Sequence, residues 1–309
     1  MAFDSAESNR TETIPMQDLE TLKRSIKSTE DLSNVVRTMK TMAAVSIRQY
    51  EMAAKSLSTY SQTIETGLSM LLQNSKNDRA NSEGRNGRTG AIVFGADQGM
   101  CGHFNEQISE FAVDYLQTHS LNTAPGICIG HRIGDKLSRY GFQTDQTLRL
   151  PGSALGITGF VNELLPAIDT WRNLHNIECI LVFHNRRVTA SSWQPFAMRL
   201  LPLQLDRLRH GNESSHAGRS LPLWTMTTSV LFARLVNQFL FVSLFRACAE
   251  SLAGENASRI AAMQSAERNI NDRLHLLKGD YAQQRQTTIT EELLDVVTGF
   301  EALQETAKG

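Results

Sequence analysis

Two stretches at opposite ends of this chain repeat apolar residues every seven positions over a length that only a long helix explains. No proline falls between Met16 and Ala124, and none follows Pro222, so nothing interrupts a helix in the way an interior proline would. In the first stretch Leu22, Thr29, Val36, Ala43, Tyr50, Leu57, Ile64 and Leu71 form one column, and Leu19, Ile26, Ile47, Ala54 and Leu68 a second. In the last stretch Leu235, Val242, Ala249, Asn256, Met263, Ile270 and Leu277 step by seven, with Phe239, Ala253, Ile260, Leu274 and Tyr281 beside them. The pattern continues through Ile289, Leu293, Val296, Val297, Phe300 and Leu303. A sustained seven-residue repeat keeps one apolar seam on a helix and favours a left-handed supercoil. The spacing predicts an N-terminal helix of roughly 85 Å and a C-terminal one of roughly 120 Å at about 1.5 Å per residue. The two seams, crowded with small residues such as Ala43, Ala44, Ala253 and Ala257, predict an antiparallel coiled-coil rod in which the second helix outruns the first. Gly254, Gly279 and Gly299 each cost that helix about 1 kcal/mol relative to alanine, which a helix this long tolerates. An ordinary structural hairpin satisfies this periodicity too, because a heptad fixes geometry and not function.

Between the ends the pattern changes. Asn81 to Gly90 is a polar, glycine-rich linker, and Leu205 to Leu221 is a second one. Short apolar runs at 91–94, 126–130 and 177–183 read as buried strands, and 105–117, 132–139 and 159–171 as helices, with Pro166 a kink point. Gln194 to Leu203 carries Pro195 and Pro202 and reads as an antiparallel or edge strand. Alternating strands and helices argue for a mostly parallel sheet. The expected class is α/β: a long antiparallel coiled coil of the terminal helices plus a central Rossmann-like α/β domain. The expected divisions are a disordered extension over 1–17, an N-terminal helix over 18–80, the central domain over 81–222 and a C-terminal helix over 223–309.

A formal net charge of −1 gives no global pull toward nucleic acid or an anionic membrane. Basic residues on the first helix are interleaved with acids and lack stacking aromatics, so no nucleic-acid partner is expected. No run of about 18 apolar residues is found, and Phe239 to Phe245 is followed at once by Arg246, so no membrane span is expected. Cys101, Cys128, Cys179 and Cys248 lack paired spacing, which fits free thiols in a reducing compartment.

Gly95, Gly99 and Gly102 follow a strand and precede a helix. Their G-x-x-x-G-x-x-G spacing matches neither the dinucleotide fingerprint nor the phosphate loop, and tight-turn chemistry explains the glycines. Three Cys–His pairs (Cys101 and His103, Cys128 and His131, Cys179 and His184) fall near strand ends and would offer metal ligands if they converged. None has zinc spacing. Cys101 opens a helix, where a thiol pKa can fall; inert burial is the other reading. No catalytic constellation, cofactor site or metal site is expected.

Several segments resemble the gamma subunit of the F-type rotary ATP synthase. Ser25–Thr29 through Val36–Ala44 is similar to that family's N-terminal signature, and Asp97-Gln98-Gly99-Met100-Cys101-Gly102-His103-Phe104-Asn105 to its D-R-G-L-C-G-G-[LF]-N turn. Glu255–Met263 resembles E-x-A-A-R-M-x-A-M, and Arg285–Leu293 resembles R-Q-A-x-I-T-x-E-[IL]. Asp31-Leu32, Gln98 and His103 depart from the family pattern, as in a divergent branch such as an alternative ATPase. The resemblance implies a central-stalk rotor that couples ion-driven rotation of a ring of c subunits to ATP synthesis or hydrolysis in a hexamer of alpha and beta subunits. The central domain would stand against the epsilon subunit and the c-ring. It also implies a non-catalytic chain, peripheral to the cytoplasmic face of the inner (plasma) membrane through its complex. By position, Met39, Arg259, Arg285, Gln286, Thr290 and Glu292 would be the residues that meet the alpha/beta hexamer. The competing readings are a coiled-coil scaffold with a free-standing ligand-binding α/β head, and an enzyme built on the Gly95–Gly102 turn.

Overall fold

The computed structural model describes residues 19–74, 87–188, 193–203 and 224–306. The expected extension over 1–17, most of the first linker and the whole of the second lie outside the described residues. In chain order the elements are α1 (Leu19–Ser56), α2 (Ser58–Asn74), β1 (Arg88–Phe94), α3 (Phe104–Thr118), β2 (Gly126–Ile129), α4 (His131–Arg139), β3 (Thr144–Leu148), α5 (Gly156–His175), β4 (Ile177–Arg187), β5 (Trp193–Leu201) and α6 (Thr228–Thr306). The chain divides into two compact units, residues 1–38 with 265–309, and residues 39–264; α1 and α6 each contribute to both.

In the first unit the start of α1 pairs with α6 in antiparallel sense. Leu22 and Val36 are buried, as are Ile270 and Leu277. Glu30 meets Lys278 at 2.8 Å, and Arg37 meets Glu267 at 3.9 Å. In the second unit the same columns continue. Ala43, Tyr50, Ile64 and Leu71 are buried, together with Val242, Ala249, Asn256 and Met263. Tyr60 Oη donates to Gln238 Oε1 at 3.0 Å, so the higher-numbered part of the N-terminal helix meets the lower-numbered part of α6. The heptad columns are therefore the seam.

The expected single N-terminal helix is broken at Leu57. Ser56 Oγ bonds the Ala53 carbonyl at 2.8 Å, and Ser56, Ser58 and Thr59 crowd the break. Serine and threonine side chains compete for helix carbonyls, which weakens the ladder there. α6 holds an 18-residue window of mean hydropathy 1.5, long and apolar enough by composition to cross a membrane. Its apolar residues have packing partners: Phe232, Leu235, Val236 and Phe239 lie against Ile64, Leu68 and Val242.

The sheet has the order β3-β2-β1-β4-β5, with β1 to β4 parallel and β5 antiparallel to β4. Its faces alternate as strand geometry requires. Ala91, Val93, Cys128, Leu181 and Phe183 join α3 and α4 on one side. Ile92, Phe94, Ile127, Ile129, Ile180 and Val182 join α5, α6 and Tyr50 on the other. α6 is therefore a layer of the α/β core as well as half of the helix pair. Gly90 makes this packing possible, because a Cβ there would lie 2.3 Å from the buried Trp171 ring.

Candidate functional site

Two regions carry the residues singled out by sequence. The first is the turn after β1. Gly95 is needed because a Cβ would come within 2.4 Å of Ile133, and Gly102 because its φ is +58°. Asp97 pins the turn. Its two carboxylate oxygens accept from His131 N at 2.8 Å and Leu150 N at 2.9 Å, joining the starts of α4 and of the segment after β3. Ala96 N donates to the buried Asn105 side chain at 2.9 Å.

Open α/β sheets hold ligands at the carboxyl ends of their parallel strands. Here α6 covers that edge: Ser258 Oγ donates to the Cys101 carbonyl at 2.8 Å. A cavity of about 260 Å³ remains beside it, and its lining includes Met39, Tyr50, Asp97, Gln98, Glu255 and Arg259. Arg259 is 6% exposed; it pairs with Glu255 and donates to Asn256 Oδ1 at 3.0 Å, while its Nε has no partner among the described residues. Burial pushes the Glu255 carboxyl above its ordinary range, against the opposing pull of Arg259.

The Cys–His pairs do not converge. Cys179 pairs in register with Thr89 near the start of β1, while Cys101 and His103 follow its far end. His103 lies 2.7 Å from Glu106, His131 Nε2 accepts from Arg149 Nε at 3.1 Å, and His184 Nε2 lies 3.3 Å from Glu250. Among the described residues no group of three His, Cys, Asp or Glu could hold a metal. The Cys101 thiol is not activated; burial raises its pKa, as it does for Cys128, Cys179 and Cys248. Burial works to raise the pKa of Glu250, but hydrogen bonds from His184 and Arg246 outweigh it and hold the carboxyl below its usual range.

The second region is the last part of α6. Arg285, Gln286, Thr290 and Glu292 all lie exposed within about two turns, and Thr290 Oγ1 donates back to the Gln286 carbonyl at 2.8 Å. Exposed apolar residues run alongside: Ile289, Leu293, Leu294, Val296, Val297 and Phe300. Sequence reasoning placed Met39 and Arg259 with this group. The structure puts both on the cavity of the other unit, Met39 half-buried and Arg259 in an internal ion pair. Glu255 went unassigned, although its position four residues before Arg259 is the spacing at which helix charges pair.

A family profile described as ATP synthase matches residues 18–303, nearly the whole described chain. Curated ATP synthase gamma chains match over the same span. That of Sinorhizobium fredii is 28% identical over 298 residues, covering 93% of this chain and 100% of the relative. That of Brucella canis is 26% identical over 296 residues with the same coverage. This chain belongs to the ATP synthase gamma-chain family. Solved structures share the fold. One chain of the Euglena gracilis mitochondrial ATP synthase OSCP/F1/c-ring assembly aligns with a TM-score of 0.65 at 17% identity, covering 94% of this chain and 96% of that one. A chain from the rotor of the same enzyme aligns with a TM-score of 0.60 at 17% identity, covering 88% and 98%. Membership accounts for the long helices at both ends and for a Rossmann-like sheet whose ligand edge is covered by its own C-terminal helix.

Proposed function

We propose that this chain is the central-stalk rotor of an ATP synthase, turning with an ion-driven c-ring and imposing its asymmetry on a catalytic hexamer of alpha and beta subunits. It is a non-catalytic subunit of a membrane-associated complex. The coupling ion, proton or sodium, acts on other subunits, and the complex stands on the cytoplasmic face of the plasma membrane. The division by role follows the resemblance: residues 18–80 and 223–309 form the shaft, and 81–222 the part that meets the epsilon subunit and the c-ring.

One observation carries the reading. The 79-residue α6 ends in a segment that exposes a polar cluster and an apolar stripe together, within a chain of this family. A guanidinium at Arg285 offers planar, charge-assisted bonds to partner carboxylates that a lysine would not reproduce. Gln286, Thr290 and Glu292 would supply neutral and acidic partners in the same turns. Arg259, tied to Glu255, and Met39 beside it would act by shaping the helix pair where it faces the hexamer.

The test is co-expression with the alpha and beta subunits of the same genome, followed by purification and an ATPase assay. A complex whose assembly needs this chain is expected. Arg285→Ala with Gln286→Ala should weaken assembly or coupled hydrolysis by about tenfold, as expected for the loss of one or two charge-assisted hydrogen bonds. Unchanged coupled activity would remove these residues from the interface.

A further inference from the structure

The cavity beyond the carboxyl ends of β1 and β3 has a wall whose hydrogen bonding is unfinished. A guanidinium carries five N–H donors. On Arg259, whose side chain is 8% exposed, Nη2 donates to Glu255 Oε1 and Nη1 to Asn256 Oδ1, while Nε has no partner among the described residues. A buried charged group with unmet donors is unfavourable. Tyr50 stands on the same wall. Burial, and then the Glu255 charge, push its hydroxyl pKa up, so the group stays neutral and able to donate. Met39, Met42, Leu150 and Leu252 add apolar surface to the lining. Met42, Gln98 and Gly152 are exposed, so the cavity opens to solvent. Its volume of about 260 Å³ falls just short of the roughly 300–1,000 Å³ that holds a drug-sized ligand.

This lining selects among ligands. Water would meet the donors but leave the apolar surface wet. A dianion would exceed the cation, because among the described residues Arg259 is the one cationic side chain on the lining. The carboxylates there are Glu255, paired with Arg259, and Asp97, whose oxygens accept from His131 N and Leu150 N. The segment after β3 brings only Leu150, Pro151 and Gly152, and α1 brings no charged group. We propose that this cavity binds a short-chain monocarboxylate, its head on the donors that Arg259 leaves unmet and its chain along Met39, Met42 and Leu252. A planar carboxylate matches the guanidinium fork, and methionine side chains adapt to irregular apolar ligands. A second carboxylate beside Glu255 would leave the wall with net negative charge, so binding takes up a proton on Glu255. Burial already pushes that carboxyl up, against the pull of Arg259, and Asp97 adds to the rise. Affinity therefore increases as pH falls toward the folded pKa of Glu255, by up to about tenfold per pH unit, and levels off below it. The site lies wholly within residues 39–264 and does not depend on the rotor reading.

The test titrates formate, acetate and butyrate into the full-length chain at constant ionic strength, with chloride as the balancing anion. The readout is the NMR resonance of the Arg259 Nε–H group. Butyrate should shift it saturably, and affinity should rise by up to about fourfold for each methylene added to the ligand, the value of one buried CH₂. Met42 is 66% exposed, so Met42→Gln leaves the fold intact; it should weaken butyrate by about fourfold and leave formate unchanged. Arg259→Lys keeps the charge and loses the fork, and should weaken every ligand of the series by about tenfold, one charge-assisted hydrogen bond. Glu255→Gln keeps an acceptor for Arg259 and removes the negative charge. It should bind butyrate more tightly than the wild type at mildly alkaline pH and lose most of the pH dependence. A wild type that butyrate does not saturate overturns the proposal. So does an affinity indifferent to chain length and to Met42→Gln, or a pH dependence that survives Glu255→Gln. Because the isolated chain is measured, none of these outcomes bears on assembly with other subunits.

Discussion

Glu106 shows how a side chain on the sheet's outer layer is tuned by its neighbours. Its carboxylate receives Lys136 Nζ from α4 and lies 2.7 Å from His103 Nδ1. The hydrogen bond from Lys136, then the one from His103, lowers its pKa from the usual 4.5 to about 2. A folded-state pKa below the unfolded one means that the link between α3 and α4 is fully present above about pH 4.5 and is lost as pH falls through about 2. Carboxyl-carbon NMR of the full chain should give Glu106 a midpoint near 2, moving up toward 4.5 in Lys136→Met. A midpoint already near 4.5 in the wild type would show that the pair does not form in solution. At the same scale, the candidate site was only half legible. The exposed Arg285, Gln286, Thr290 and Glu292 could be located from motif position alone, since a helix surface needs no tertiary information. Arg259 could not. Its motif marks it as important and the spacing offers Glu255 as its partner, but only the folded structure shows that the pair is buried beside the turn after β1.

Elements whose burial is periodic were the easiest to read. The main columns, from Leu22 to Leu71 and from Leu235 to Leu277, became the buried or half-buried seam, whereas the expected continuation through Ile289, Leu293, Val296, Val297 and Phe300 is corrected: those residues stand exposed. The strands β1, β2 and β4 were legible as continuous apolar runs, the signature of parallel strands covered on both faces. β3 was missed. Thr144-Asp145-Gln146-Thr147-Leu148 is polar and largely exposed, an edge strand held by its ladder to β2 rather than by apolar burial. The glycines of α6 also separate by context. A Cβ at Gly254 would approach Asn185 Cβ at 3.1 Å and Trp193 at 3.4 Å, so that glycine has a packing reason. Around Gly279 nothing lies within 4 Å, and the position is exposed. Gly279→Ala should therefore stabilise the helix pair of the isolated chain by up to about 1 kcal/mol, the propensity difference in a helix interior. Thermal unfolding followed by far-UV circular dichroism reads the change, and a lower midpoint would mean that this face of α6 is already occupied.

At the scale of the whole molecule, stability and function separate along the chain. Both faces of the sheet are packed within residues 39–264. Beyond Leu277, by contrast, none of the described apolar residues of α6 is fully buried, and from Ile289 to Phe300 six large ones stand exposed. Water tolerates scattered apolar side chains, but a contiguous exposed stripe marks a surface made to be covered. Arg285, Gln286, Thr290 and Glu292, proposed above to bond partner subunits, lie exposed along the same turns. Removing residues 287–309 should then leave the unfolding of the α/β unit within about 0.5 kcal/mol of the intact chain, since exposed positions far from a core contribute little. The same deletion should abolish rotation-linked ATP hydrolysis in a complex with alpha and beta subunits. A free-standing scaffold with its own ligand would lose neither property, because no cover for that stripe enters its function. An α/β unit that melts early in the deletion variant would instead place the end of α6 in the folding of the chain. Stable folding with lost coupling assigns the terminal segment to the partner, and it makes α6 a single helix that serves as a core layer in one part and as a bearing surface in another.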